Sequence, residues 1–134
     1  MSAATNQLKR IYPALQQTID QDAFAFAAAC SANSQAEQSG APAGAVASPA
    51  MATAVATWQG DVNMALDRVN ATSPKARGRA LALQTWQALA TALTQLSQGM
   101  SMADPAAGAS TIEQGQANLA TYHQLAAQLA RTMR

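Results

Sequence analysis

The sequence predicts an all-α fold, an antiparallel up-down-up-down four-helix bundle, and three observations predict it. The first is composition. Of 134 residues, 35 are Ala and 15 are Gln, while aromatics make up only 4%. That is rich in helix formers and carries little strand-former signal. The second is periodicity: apolar residues recur at steps of three and four in four separate stretches. The third is punctuation, since Pro- and Gly-bearing segments divide those stretches. The length suits one domain, 1–134. With 49% apolar residues the chain can fill a core. This balance excludes a β-sandwich, a disulfide scaffold, a collagen and a strongly basic nucleic-acid binder.

The first helix is expected over about 8–37. Leu15, Ile19, Ala23, Phe26 and Cys30 step by four, four, three and four along one face. Pro13 has no N–H to donate, so the residues from Leu8 to Tyr12 are expected to form a separate turn or a bent extension. A loop follows over roughly 37–48, marked by Gly40, Pro42 and Gly44. Ser48 and Pro49 then supply a cap and a first-turn proline for the second helix, 49–70. Its seam is Met51, Val55, Trp58, Val62, Ala65 and Val69.

A short turn spans 70–73, including the glycosylation-like triplet Asn70-Ala71-Thr72, here read as a turn. Ser73 and Pro74 repeat the cap-then-proline signal and predict a third helix over 74–98. Its seam is Ala82, Trp86, Leu89, Leu93, Leu96 and Met100, with Gly99 as the expected stop. Met100 to Ala109 reads as a linker in which Asp104 and Pro105 start one short turn. The fourth helix, 111–133, is expected to open on the capping box Ser110-Thr111-Ile112-Glu113. Ile112, Leu119, Tyr122, Ala126, Leu129 and Met133 form its stripe. Gly115 takes the missing seam position, where a small residue lets a neighbouring helix approach.

This topology redistributes the charge. The net charge is only +1. Yet an up-down bundle gathers the start of the first helix, the end of the second, the start of the third and the end of the fourth at one pole. Lys9, Arg10, Arg68, Lys75, Arg77, Arg79, Arg131 and Arg134 all fall there. Glu37, Asp104 and Glu113 go to the other pole. Three cations at one helix N-terminus oppose the helix dipole, which calls for a compensating reason. Arg68, Lys75, Arg77, Arg79, Arg131 and Arg134 are therefore candidate contacts for an anionic partner. Lys75 and Arg79, four apart on a helix, share a face and with Arg68 form the expected phosphate-sized site. Asp67, Asp20 or Asp22 partly neutralising the cluster is the plainer reading.

Other patterns carry less. Trp58-Gln59-Gly60 spells W-x-G and resembles, over those three residues, the family of small secreted helical hairpins that carry this motif in the turn between two helices. Here the triplet lies inside one seam, and Tyr122 is followed four residues later by Ala126 rather than the family's Asp or Glu. The chain is therefore read as lying outside that family. Met51, Met100, Met102 and Cys30 gather toward one end, where methionine ordinarily fills gaps. His123 stands alone and Asp22 reads as a solvated carboxylate at the stripe edge. No Glu-x-x-His pair, glycine-rich phosphate loop or catalytic motif occurs. No metal, cofactor or enzymatic activity is expected.

The expected function is a non-enzymatic interaction or structural module. Charged residues are only 11% of the chain, which favours protein contact or self-association as an oligomer. Nucleic acid or another anionic surface would bind weakly, through charge alone. The alternative is a carrier for a small apolar ligand, in a slot lined by Phe26 (or Phe24), Trp58, Met64 and Trp86. No run of 18 apolar residues occurs, so no transmembrane helix is expected. Pro13, Gln16, Gln17, Asp20 and Asp22 interrupt any signal-peptide core. The default compartment is the cytoplasm, with a mature exported domain left open.

Overall fold

The structure, a computed structural model, describes residues 3–38 and 48–134. Four helices and no strand are found among them: α1 (Gln7–Gln38), α2 (Ser48–Asn70), α3 (Arg79–Ser101) and α4 (Pro105–Thr132). They pack as a bundle in which α3 and α4 lie closest, and α2 packs on both α1 and α3. Among the described residues, no helix is long and apolar enough to cross a membrane. The predicted loop between the first two helices shrinks at its start, because α1 runs on to Gln38. The rest of that expectation, 39–47, lies outside the described residues.

The seams meet in one core. Val55, Trp58, Val62, Ala65 and Val69 of α2 are buried, as are Ala82, Trp86, Leu89, Leu93 and Leu96 of α3. Leu8, Leu15 and Ile19 come from α1, and Tyr122 and Leu129 from α4. The stripe ends are looser: Met51, Met100, Phe26 and Cys30 are half-buried.

Four boundaries differ from expectation, each for a local reason. Pro13 sits inside α1 and does not split it. Pro13 and Lys9 are exposed. The carbonyl that proline leaves unbonded, that of Lys9, therefore lies on the side open to water. Leu8, fully buried, ties the first turns to the core.

The third helix begins at Arg79, not at Pro74. Ser73 does cap locally: its Oγ accepts from Lys75 N at 3.2 Å, and its carbonyl accepts from Ala76 N at 2.9 Å. The next amide breaks the pattern. Arg77 N, which an α-helix would send back to Ser73, donates instead to Thr5 O at 3.0 Å. Gly78 follows at φ 81°, a left-handed conformation that favours glycine and ends the turn.

Gly99 is not a stop. It is buried within α3, which continues to Ser101. A side chain there would meet Gly108 O and Ile112 of α4, so the glycine serves close helix approach. The fourth helix starts five residues before the expected capping box. Asp104 caps it by accepting from Ala106 N at 3.0 Å, and Pro105 opens its first turn. Thr111 is already mid-helix, its Oγ1 donating to Ala107 O. Gly115 does bring α3 close: a Cβ there would lie 3.0 Å from Leu96 and 3.1 Å from Ala92 O.

Candidate functional site

The link between α2 and α3 carries Lys75 and Arg77, two of the cations expected to face an anion. Ser73 N donates to Gln7 Oε1 at 2.6 Å and Arg77 N to Thr5 O, which tie the link to the start of α1. A Cβ at Gly78 would run into the Met133 side chain and approach Thr132 and Leu8. The link therefore also touches the end of α4. Lys75 and Arg77 are exposed on this link, and Arg68 is exposed in the last turn of α2. Arg131 and Arg134 are exposed on either side of the buried Met133. Lys9 and Arg10 are exposed in the first turn of α1. Among the described residues none of these cations is ion-paired with a carboxylate.

Arg79 behaves differently. It is half-buried, and a terminal guanidinium nitrogen donates to Asn70 O at 3.3 Å. Its Nε is buried with no protein acceptor. Because the helix starts only at Arg79, Lys75 and Arg79 are not four apart on a helix face, and that expected pairing is corrected. The same start leaves Lys75 and Arg77 outside the helix, so only Arg79 faces the unfavourable end of the dipole. A shallow groove of about 270 Å³ lined by Gln7, Ile11, Arg68, Ala71 and Thr72 runs beside the link.

The expected slot residues separate into two groups. Phe26 packs on Trp58 with ring centroids 5.9 Å apart, and Tyr12 stacks on Trp86 at 6.3 Å and 17°. Both tryptophans are buried in the core. Met64 is 57% exposed and Phe24 77% exposed, so neither joins these rings. Met64 follows buried Val62 by two residues, which turns it to the opposite side of α2. No group of three or more His, Cys, Asp or Glu that could hold a metal stands among the described residues. Burial pushes the Cys30 thiol up, away from the thiolate form that reacts.

One arrangement escaped the sequence reading. Asp22 is not a lone solvated carboxylate. It meets Asp61 of α2, and its carboxyl is pushed up to about 7, by burial first and then by the hydrogen bond and charge of Asp61. Its Oδ2 is buried and receives no N–H or O–H of the protein. A hydrogen bond between two carboxyls needs a proton on one of them, because an ionised carboxylate only accepts. A groove of about 700 Å³ between α1 and α2 opens beside it, walled by Ala25, Ala28, Ala29, Thr53, Ala54 and Thr57. The available signal was spacing: Asp22 is three residues after Ile19, and Asp61 three after Trp58, so each lies one step from a seam residue.

No protein-family model matches the chain, and comparison with curated proteins and with solved structures returns no match.

Proposed function

We propose that the chain is a non-enzymatic helical interaction module that presents its basic pole to an anionic partner surface. One observation carries this reading. The 71–78 link exposes Lys75 and Arg77 while it is bonded to the start of α1 at Thr5 and packed at Gly78 against Met133 of the α4 end. Cations distant in sequence are thereby neighbours in space, and none is neutralised by an ion pair among the described residues. Charged residues are only 11% of the whole chain, and Lys and Arg account for eight of them, so a cluster of these cations would face little competing charge.

We read the helices as alternating up and down. Cross-helix pairs support this. Gln7 meets Ser73 and Phe26 meets Trp58, so numbers rise on α1 as they fall on α2. Gly99 faces Ile112 while Gln95 is bonded by Asn118, and Gly78 faces Met133. Under that topology all eight cations share one end, and Asp104 and Glu113 take the other.

The test is retention on immobilised heparin, a polyanion, for wild type against Lys75→Gln/Arg77→Gln. These two are chosen because they are exposed and hold no side-chain partner, unlike Arg79. The variant is expected to elute at clearly lower salt, since exposed charge contacts are screened within ~10 Å at 0.1 M salt. Equal elution salt for both proteins removes the pole as a binding surface.

A further inference from the structure

Asp22 of α1 and Asp61 of α2 are half-buried and meet across the interface of their two helices. A carboxylate only accepts hydrogen bonds, so this contact needs a proton on one partner. One helical turn further along, Phe26 packs on Trp58. Beyond that ring pair the interface is made of Ala and Thr around the 700 Å³ groove. Ile19 is the last fully buried apolar residue of α1 among those whose burial is described. Among the described residues, the second half of α1 is therefore held by one ring contact, small residues and the carboxyl pair.

We propose that the Asp22–Asp61 contact is a proton-dependent latch: the second half of α1 closes on α2 while Asp22 holds its proton, and separates from it when that proton leaves. Among the described residues no cation faces this contact to absorb the charge that Asp22 gains. On α1, Asp20 is bonded by Gln16, which also reaches Tyr122 of α4. On α2, Asp67 is exposed nearer the basic pole. Arg79, the charged residue of α3, is held at Asn70, at the far end of α2. Glu113, His123 and Arg131 belong to α4, which packs chiefly on α3. Burial and Asp61 account for the raised carboxyl, with no cation opposing them.

The sign follows from proton binding. In the folded chain the Asp22 carboxyl keeps its proton up to about pH 7. In the unfolded chain Asp22 releases it near ~3.9. Between those values the folded state binds more protons, so the contribution of the latch falls as pH rises and is spent above pH 7.

The experiment places spin labels on the exposed residues Ala27 of α1 and Ala56 of α2, as Ala27→Cys/Ala56→Cys in a Cys30→Ser background. Interspin distances are measured at about pH 5.5 and about pH 8.5, either side of the transition. The parent is expected to lengthen and broaden at the higher pH. Asp61→Asn is expected to keep the closed distance at both, because an amide can donate to Asp22 without charge. Asp22→Asn gives the same result from the other helix. His123→Gln is the control, since histidine commonly changes charge in this range; it should respond like the parent. An unchanged distance in the parent, a pH response retained in both Asn variants, or a response abolished by His123→Gln overturns the latch.

Discussion

Trp86 is the largest side chain fully withdrawn from solvent, yet its indole N–H meets no protein acceptor. Two effects therefore oppose one another at a single residue. Its ring area stabilises the core, while an unmet buried donor costs about 1–3 kcal/mol. Truncation and isosteric change should part company. Trp86→Ala is expected to destabilise by about 3–5 kcal/mol through lost burial and the cavity left behind. Trp86→Phe should cost only about 1–2 kcal/mol, because removing the unmet donor offsets part of the lost volume. Phe24, 77% exposed, should change stability by less than ~0.5 kcal/mol on mutation to Ala. Urea denaturation of the three variants checks the ordering, and a Phe variant as unstable as the Ala variant would show that the indole N–H is satisfied. Thr85 sets the contrast. It is equally buried, and its hydroxyl donates to Leu81 O.

Two glycines show how helix packing decides the sign of a substitution. At Gly60 an added Cβ meets nothing within 4 Å. Gly60→Ala is therefore expected to stabilise by about 0.5–1 kcal/mol, the helix-propensity difference alone. At Gly99 the same methyl would lie 2.5 Å from Ile112 Cγ1 and 2.9 Å from Gly108 O, and backbone oxygen does not move aside. Gly99→Ala should destabilise by about 1–3 kcal/mol despite the same propensity gain. Thermal or urea unfolding of both variants reads the two signs, and a stabilising Gly99→Ala would mean that α3 and α4 do not approach closely there. The seams were legible because period alone determines which residues face inward, as Val55 to Val69 and Ala82 to Leu96 illustrate. The ends were not. Ser73-Pro74 and Ser110-Glu113 are sound caps locally, but Arg77 bonding to Thr5 and Asp104 capping earlier both outcompete them. Gly99 likewise looks like a terminator in one dimension and is a contact in three. The Asp22–Asp61 pair was illegible for the same reason: it exists only once Phe26 is set against Trp58.

Stability is unevenly distributed over the molecule. α3 carries eight buried residues, spread from Ala82 to Gly99. α4 approaches it at Gly99, Gly108 and Gly115, where the absence of side chains lets backbones close. Among the residues whose burial is described, α1 contributes Leu8, Leu15 and Ile19, all in its first half. Beyond them Phe24, Ala25, Ala27 and Ala28 are exposed, and Ala23, Phe26 and Cys30 only half-buried. Local opening draws on segments with few buried apolar contacts, so amide hydrogen exchange should be graded accordingly. The amides of α3 near Trp86 to Leu96 are expected to exchange slowest, with rates approaching those of global unfolding. Amides of α1 from Asp22 to Ser31 should exchange fastest among the described helix interiors. The first turns of α1 should be intermediate, because Leu8 and the Thr5–Arg77 bond anchor them to the core and to the 71–78 link. Uniform protection across α1 and α3 would mean that the bundle opens only as a unit. The expected gradient is instead that of a slowly exchanging α3–α4 half, first turns of α1 held by the 71–78 link, and later described turns of α1 that open before the core does.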